Sequence, residues 1–188
     1  MGRPKATLPF GPELMLQRVA RLLGEAVEPI VVVAAAGQEL PELPEGIHRV
    51  RDRHPDRGPL EGLAAGLGAI VGRAEAAFVT ACDVPLLKPA FIGRLIGLFE
   101  GYEAAVPHVG GFDEPLSAVY GIEVLSHVEA LLAQDRLRPA FLFDRIRTRR
   151  IAAEELTPVD PDLESLDNVN TPQQYLAALA KAGFSPPP

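Results

Sequence analysis

Ala77-Phe78-Val79-Thr80-Ala81-Cys82-Asp83-Val84-Pro85 is the stretch on which the fold turns. A run of apolar and β-branched residues that stops at a proline-containing turn reads as a short strand buried on both faces, the pattern of a sheet covered by helices on each side. Upstream, Ile30-Val31-Val32-Val33-Ala34 repeats the pattern, and Ile47 to Arg51 is a weaker strand candidate. Helical stretches lie between them. Leu16, Val19, Ala20 and Leu23 share one face at helical spacing. Pro59 opens a small-residue helix to about Val71, proline being well placed in a first turn. Pro89 to Phe99 puts Phe91, Ile92, Leu95, Ile96 and Phe99 on one apolar side. Strands alternating with helices predict right-handed βαβ units and a mostly parallel sheet with helices on both faces.

Downstream the pattern changes. Ala104 to Val106 and Ser117 to Tyr120 are strand candidates separated by the turn-rich His108 to Glu114, which predicts a mixed edge to the sheet. Glu123 to Leu132 and Pro139 to Phe143 read as helical, and Thr148 to Ile151 as a late strand. Thr171 and Pro172 form a cap and first-turn pair for a last helix ending near Ala182. Residues 1–183 are expected to form one domain and residues 184–188 a disordered tail.

The 188 residues, 47% hydrophobic and 23% charged, are enough for a core without disulfide staples, and Cys82 has no second cysteine to pair with. The net charge of −7 argues against a general nucleic-acid binder, which needs a basic face. It leaves room for a small anionic substrate held in a local basic pocket. No apolar run approaches the roughly 20 residues of a membrane span, and no signal-peptide core follows the basic Met1-Gly2-Arg3-Pro4-Lys5, so a cytoplasmic location is expected.

Ligands of open α/β sheets bind beyond the carboxyl ends of the strands, so the polar residues there are the candidates. Asp83 follows a buried strand. A carboxylate there can hold Mg²⁺ against substrate phosphates, or it can cap the next turn; position alone does not choose. Asp52 follows the strand ending at Arg51, with Gly58-Pro59-Leu60-Glu61-Gly62 close behind; each alone reads as a turn or helix start. Lys5 could neutralise phosphate charge or be solvated surface. Asn168 and Asn170 could read a ligand's hydrogen-bonding edge or close a turn. Arg145, Arg147, Arg149 and Arg150 suit either phosphate recognition or a charged edge strand. The four histidines have no metal-ligand spacing with Cys82, and neither a nucleophile elbow nor a Walker-type lysine loop is present.

Together these segments resemble one family in order along nearly the whole chain. Gly2-Arg3-Pro4-Lys5-Ala6-Thr7-Leu8-Pro9 resembles the second half of a glycine-rich signature loop. Asp52 with Gly58-Pro59-Leu60-Glu61-Gly62 resembles a second motif, and Cys82-Asp83-Val84-Pro85 a metal-binding Cys-Asp-x-Pro segment. Glu114-Pro115-Leu116-Ser117-Ala118-Val119-Tyr120 resembles a Gln-Pro-Leu-x-Ala-x-Tyr strand. Asn168-Val169-Asn170-Thr171-Pro172 resembles an Asn-x-Asn-Thr-Pro close. The family is the molybdenum cofactor guanylyltransferases, among the nucleotidyltransferases of the same fold.

The resemblance implies a three-layer Rossmann-like fold and transfer of GMP from GTP to molybdopterin, with Mg²⁺ as cofactor. It implies Lys5 and Asp83 as catalytic groups, Asp83 as metal ligand, nucleotide contacts from Lys5, Asp52, Gly58, Pro59 and Asp83, and molybdopterin contacts from Asn168 and Asn170. Molybdoenzyme maturation proteins are implied as partners. The sequence departs from the family pattern in three places. The Leu-Ala-Gly-Gly half of the signature loop and the strand before it are missing, so a gap in the middle of the sheet, or a segment filling it, is expected. Ala35 or Ala36 stands where asparagine is common, and Glu114 where glutamine is usual. A related transferase using CTP or a sugar phosphate, and a non-catalytic binding protein without its phosphate loop, are the alternatives.

Overall fold

The computed structural model describes residues 4–52, 54 and 57–186. A 3-10 turn over Lys5–Thr7 leads into an antiparallel hairpin, β1 (Pro9–Phe10) and β2 (Glu13–Leu14). Gly11 turns the hairpin at φ +65°, a conformation glycine adopts without steric cost. The Phe184 ring lies so close to Gly11 that a Cβ there would stand 2.6 Å from the ring.

Then come α1 (Met15–Gly24), β3 (Val31–Ala34), β4 (His48–Arg51), α2 (Pro59–Ile70), β5 (Ala76–Thr80) and α3 (Pro89–Gly97). The second half holds β6 (Ala104–Val109), β7 (Phe112–Asp113), β8 (Ser117–Gly121), α4 (Leu125–Ala133), α5 (Ala140–Phe143), β9 (Thr148–Ala152), α6 (Ala153–Leu156) and α7 (Pro172–Lys181). Thr171 caps α7 as expected, its hydroxyl accepting from the Gln174 amide at 3.2 Å.

β3 and β4 pair in parallel, Val31 opposite His48. In the larger sheet β5 pairs β8 antiparallel, β8 pairs β6 antiparallel, and β6 pairs β9 in parallel. β7 folds back on β6 through Gly110 and Gly111. The mixed edge is there, β7 antiparallel and β9 parallel to β6, and a further antiparallel strand, β8, lies inside the sheet between β5 and β6. The reason is burial on both faces. All five residues of β8 are buried; Ala118 and Tyr120 join the core under α2 and α4, and Val119 joins the core under α3.

Those two cores make the three layers. Leu60, Leu63 and Leu67 of α2 pack with Val128 and Leu131 of α4 on one face. Phe91, Ile92 and Leu95 of α3 pack with Val19 of α1 and Ile151 of β9 on the other. A third cluster joins Phe10 and Met15 to Tyr175, Ala178 and Leu179 of α7. Phe184, read from the sequence as part of a disordered tail, packs against this cluster. Its ring meets Phe10 edge-on at 5.8 Å, and its amide donates to the Leu179 carbonyl. Pro187 and Pro188 lie outside the described residues.

The sheet is split where the sequence reading expects a gap. Among the described residues β3 pairs only with β4, and β5 only with β8. Between β3 and β5, walled by α1 and α2, is an apolar slot of about 400 Å³ lined by Val19, Leu23, Val32, Leu67 and Val79 among others. The slot also explains why two strands read as buried on both faces are not. Each residue of β5 is partly exposed, and in β3 only Val32 and Ala34 are buried. A strand edge without a partner leaves peptide groups unpaired, a cost that interior strands avoid. Among the described residues no helix is long and apolar enough to cross a membrane.

Candidate active site

Three segments far apart in sequence converge just beyond the C-terminal end of β5. The 3-10 turn carries Lys5, the β5–α3 loop carries Asp83, and the segment before α7 carries Asn170. Lys5 Nζ stands 2.6 Å from Asp83 Oδ2 and 2.5 Å from Asn170 Oδ1. Asp83 is 8% exposed, and its carbonyl accepts from the Val169 amide at 2.8 Å, which holds the two loops together by their backbones. The sequence reading names all three residues but does not pair Asn170 with Lys5. Asn168 is exposed, and its amide reaches only the neighbouring Leu166 carbonyl, so the structure separates it from this cluster.

These oxygens already satisfy one cation. A carboxylate and an amide oxygen converging on one ammonium form the all-oxygen donor set that a hard divalent ion takes, so Asp83 and Asn170 fit a Mg²⁺-type ion.

The second group lies at the mouth of the slot. Asp52, Pro59 and Gln38 line the same cavity as Cys82, the residue before Asp83. Gly58, at φ +67°, precedes Pro59 in the first turn of α2, and both are exposed. Asp52 Oδ1 is buried without a hydrogen-bond partner among the described atoms. Burial, and then the nearby Glu61 charge, push the Asp52 carboxyl above its ordinary range. A buried acceptor without a donor is a place where a ligand N–H or O–H gains a full hydrogen bond.

Glu61 is a residue that sequence reasoning passed over as part of a glycine-proline motif. It is only 2% exposed, beside Asp52, and accepts from the His54 amide at 3.2 Å. Gln38 was missed as well. Its side chain curls back to accept from the Ala35 amide at 3.1 Å, so it, and not Ala35 or Ala36, brings polarity to this end of β3. A carboxylate in the first turn of a buried helix was a legible signal for Glu61; nothing local pointed to Gln38. Burial also raises the Glu114 carboxyl, where the family pattern has glutamine, and raises the Cys82 thiol.

The arginines do not join the site. Arg145 bonds Gln134, Arg147 bonds Glu103, Arg149 bonds Glu155 and Arg150 bonds Asp113. Among the described residues β9 pairs only with β6, so the ion pairs of Arg149 and Arg150 decorate an edge strand, with Arg145 and Arg147 bonded locally just before it, the second of the two readings of this cluster. Gly2 and Arg3 lie outside the described residues.

Residues 1–149 match the MobA-like NTP transferase domain. The molybdenum cofactor guanylyltransferase of Desulfosudis oleivorans is 40% identical over 130 residues, 68% of this chain and 63% of that protein. The "Probable molybdenum cofactor guanylyltransferase" of Mycobacterium avium is 35% identical over 187 residues, 97% of this chain and 89% of that protein. The crystal structure of molybdopterin-guanine dinucleotide biosynthesis protein A from Archaeoglobus fulgidus matches with a TM-score of 0.78 at 21% identity, covering 97% of this chain and 92% of that one, a likeness of fold. The chain therefore belongs to the MobA-like NTP transferase family, and it is a nucleotidyltransferase of the molybdenum cofactor guanylyltransferase kind.

Proposed function

We propose that residues 1–183 act as one nucleotidyltransferase domain, in the cytoplasm, that transfers GMP from GTP to the terminal phosphate of molybdopterin. The observation that carries the reading is the convergence of Lys5, Asp83 and Asn170 at the carboxyl end of β5. A phosphate oxygen of molybdopterin attacks the α-phosphorus of GTP, the bond to the bridging α–β oxygen breaks, and pyrophosphate leaves with its electron pair. Two anions must be brought together, so the task is alignment and charge neutralisation more than covalent help.

Lys5 places its ammonium where negative charge gathers on the departing pyrophosphate. Asp83, with the Asn170 oxygen beside it, would hold Mg²⁺. That ion, when bound, offsets the phosphate charges and orients the α-phosphate. Asp52, with its unpartnered oxygen, accepts a hydrogen bond from guanine or ribose, Gly58 lets the nucleotide approach α2 without a side chain in the way, and the exposed Pro59 ring offers it an apolar contact. Asn168, exposed two residues before Asn170, faces solvent where the pterin would enter. Molybdoenzyme maturation proteins would take up the product.

The test is a radiolabelled transfer assay with GTP and CTP in parallel, with molybdopterin as acceptor. Product formed from GTP, divalent-ion dependent and well above that from CTP, supports the reading. Equal or faster transfer from CTP overturns the guanylyl assignment.

A further inference from the structure

Away from the reacting groups lies a buried charge that the proposed chemistry does not use. Asp160 is 0% exposed. Its Oδ1 accepts from Lys88 Nζ at 2.6 Å and from the Glu164 amide at 3.2 Å, and its Oδ2 accepts from the Ser165 amide at 2.8 Å. The contact is reciprocal, because the Lys88 amide donates to the Ser165 hydroxyl at 3.0 Å. Lys88 also meets Glu164 at 3.0 Å. Burial alone would raise the Asp160 carboxyl, but the Lys88 and Ser165 hydrogen bonds outweigh it and hold it below its ordinary range. A carboxylate taken wholly out of water survives as a charge only when paired and hydrogen-bonded in this way.

Where the clamp sits gives it a purpose. Lys88 closes the loop that begins at Asp83, and Ser165 opens the segment that reaches Asn170. From the clamp both strands of chain run to the site, and they meet again where the Val169 amide donates to the Asp83 carbonyl. The two loops are pinned at both ends. A slip at the Asp160 end moves Asn170 relative to Asp83.

We propose that Asp160 is a positioning residue: its buried bonds to Lys88, Glu164 and Ser165 set the register of the Asn168–Asn170 segment against Asp83. This rests on the reading of Asp83 and Asn170 as the transfer site. Asp160 touches neither substrate nor metal, and acts only through the two loops.

The test compares Asp160→Asn with Ser165→Ala, which keeps the Lys88–Asp160 ion pair and removes the hydroxyl that accepts from the Lys88 amide and also bonds the Asp160 carboxylate. Lys181→Ala, which breaks just the exposed ion pairs to Glu164 and Asp167, is the control. Two readouts are taken on the full chain. One is amide hydrogen exchange at Val169, set against Val119 in β8. The other is the split between kcat and the KM for GTP. Asp160→Asn should speed Val169 exchange about tenfold or more and leave Val119 unchanged, with kcat falling about tenfold while the GTP KM stays within about twofold, since a small misplacement costs rate far more than uniform binding. Ser165→Ala should show the same pattern, weaker, and decides the matter if Asp160→Asn does not fold. The control should match the parent. Val169 exchange equal to the parent in both variants overturns the proposal, as does faster exchange with unchanged kcat in an active parent. If the parent transfers no GMP, the proposed function fails, and the exchange readout still decides whether Asp160 sets the register of the two loops.

Discussion

Lys5 Nζ and Asp83 Oδ2 stand 2.6 Å apart across 78 positions of sequence, with the lysine side chain 35% exposed and the aspartate 12%. The pair brings the turn before β1 onto the end of β5, and it lies beside the mouth of the slot that Cys82 lines. With its lysine 35% exposed the pair meets water on one side, so its contribution to stability is modest and its worth is to be sought in function.

Asp83→Asn should therefore keep the fold and lose the chemistry. The amide is nearly isosteric, and the Val169 contact is to the Asp83 backbone, which the substitution leaves alone. Turnover should fall on the order of 100-fold or more, as when a transition-state charge partner is removed, with the melting temperature moved by no more than a few degrees. Parent-like turnover would remove Asp83 from the site.

Asp52 gives a pH signature with a definite sign. Its folded carboxyl is raised by burial and by Glu61, so its contribution to stability is fully present below the unfolded carboxylate range, near 3.9, and is lost as pH rises through the higher folded value. At neutral pH the ionised group is a burden. Asp52→Asn should raise the melting temperature at pH 7 to 8, the gain should shrink towards pH 4, and GTP affinity should fall. A variant less stable than the parent at pH 8, by calorimetry, would contradict this.

The slot predicts an uneven pattern of amide exchange. Val119 and Tyr120 have partners on both sides of β8, whereas among the described residues β5 is paired only with β8. Protected and unprotected amides should alternate along β5, while Val119 and Tyr120 are both slow, because only every second amide of a one-sided antiparallel strand meets its neighbour. The native protein should also bind an apolar dye in the roughly 400 Å³ slot. Continuous protection along Ala76–Thr80, with no dye uptake, would mean that the slot is filled in solution.

Thr171 and Gln174 hold the approach to Asn170. The Gln174 side-chain oxygen accepts from the Asn170 and Thr171 amides at 2.9 and 3.0 Å, and the Thr171 hydroxyl accepts in turn from the Gln174 amide. Thr171→Ala should cost about 1 kcal/mol by denaturant titration, the usual worth of such a cap. A change within error would show that α7 is held by its Tyr175 and Leu179 packing alone.

Local rules made much of the fold legible. The apolar runs at Ile30 and Ala77, the helical spacing of Leu16 to Leu23, the proline starts at Pro59 and Pro89 and the Thr171 cap each depend on residues within a turn or two of one another, and each element formed where its residues indicated. Asp83 was legible for the same reason, since a carboxylate at the end of an apolar strand sits at the sheet's carboxyl edge. The resemblance across ordered motifs carried the family.

What the sequence by itself determined, then, was the alternation of elements, the break in strand pairing between β3 and β5 among the described residues, and the identity of the polar residues at the strand ends. Only the tertiary structure decided which of them meet. It put Asn170 on Lys5, set Glu61 beside Asp52, turned the arginines of β9 to local acids, placed β8 inside the sheet and buried Asp160 under Lys88. The physical reason is that secondary structure follows from hydrogen bonds and side-chain spacing a few residues apart, whereas these contacts join segments tens of residues distant. Their pairing is settled only when the two cores close on both faces of the sheet and fix which polar groups come within reach of one another.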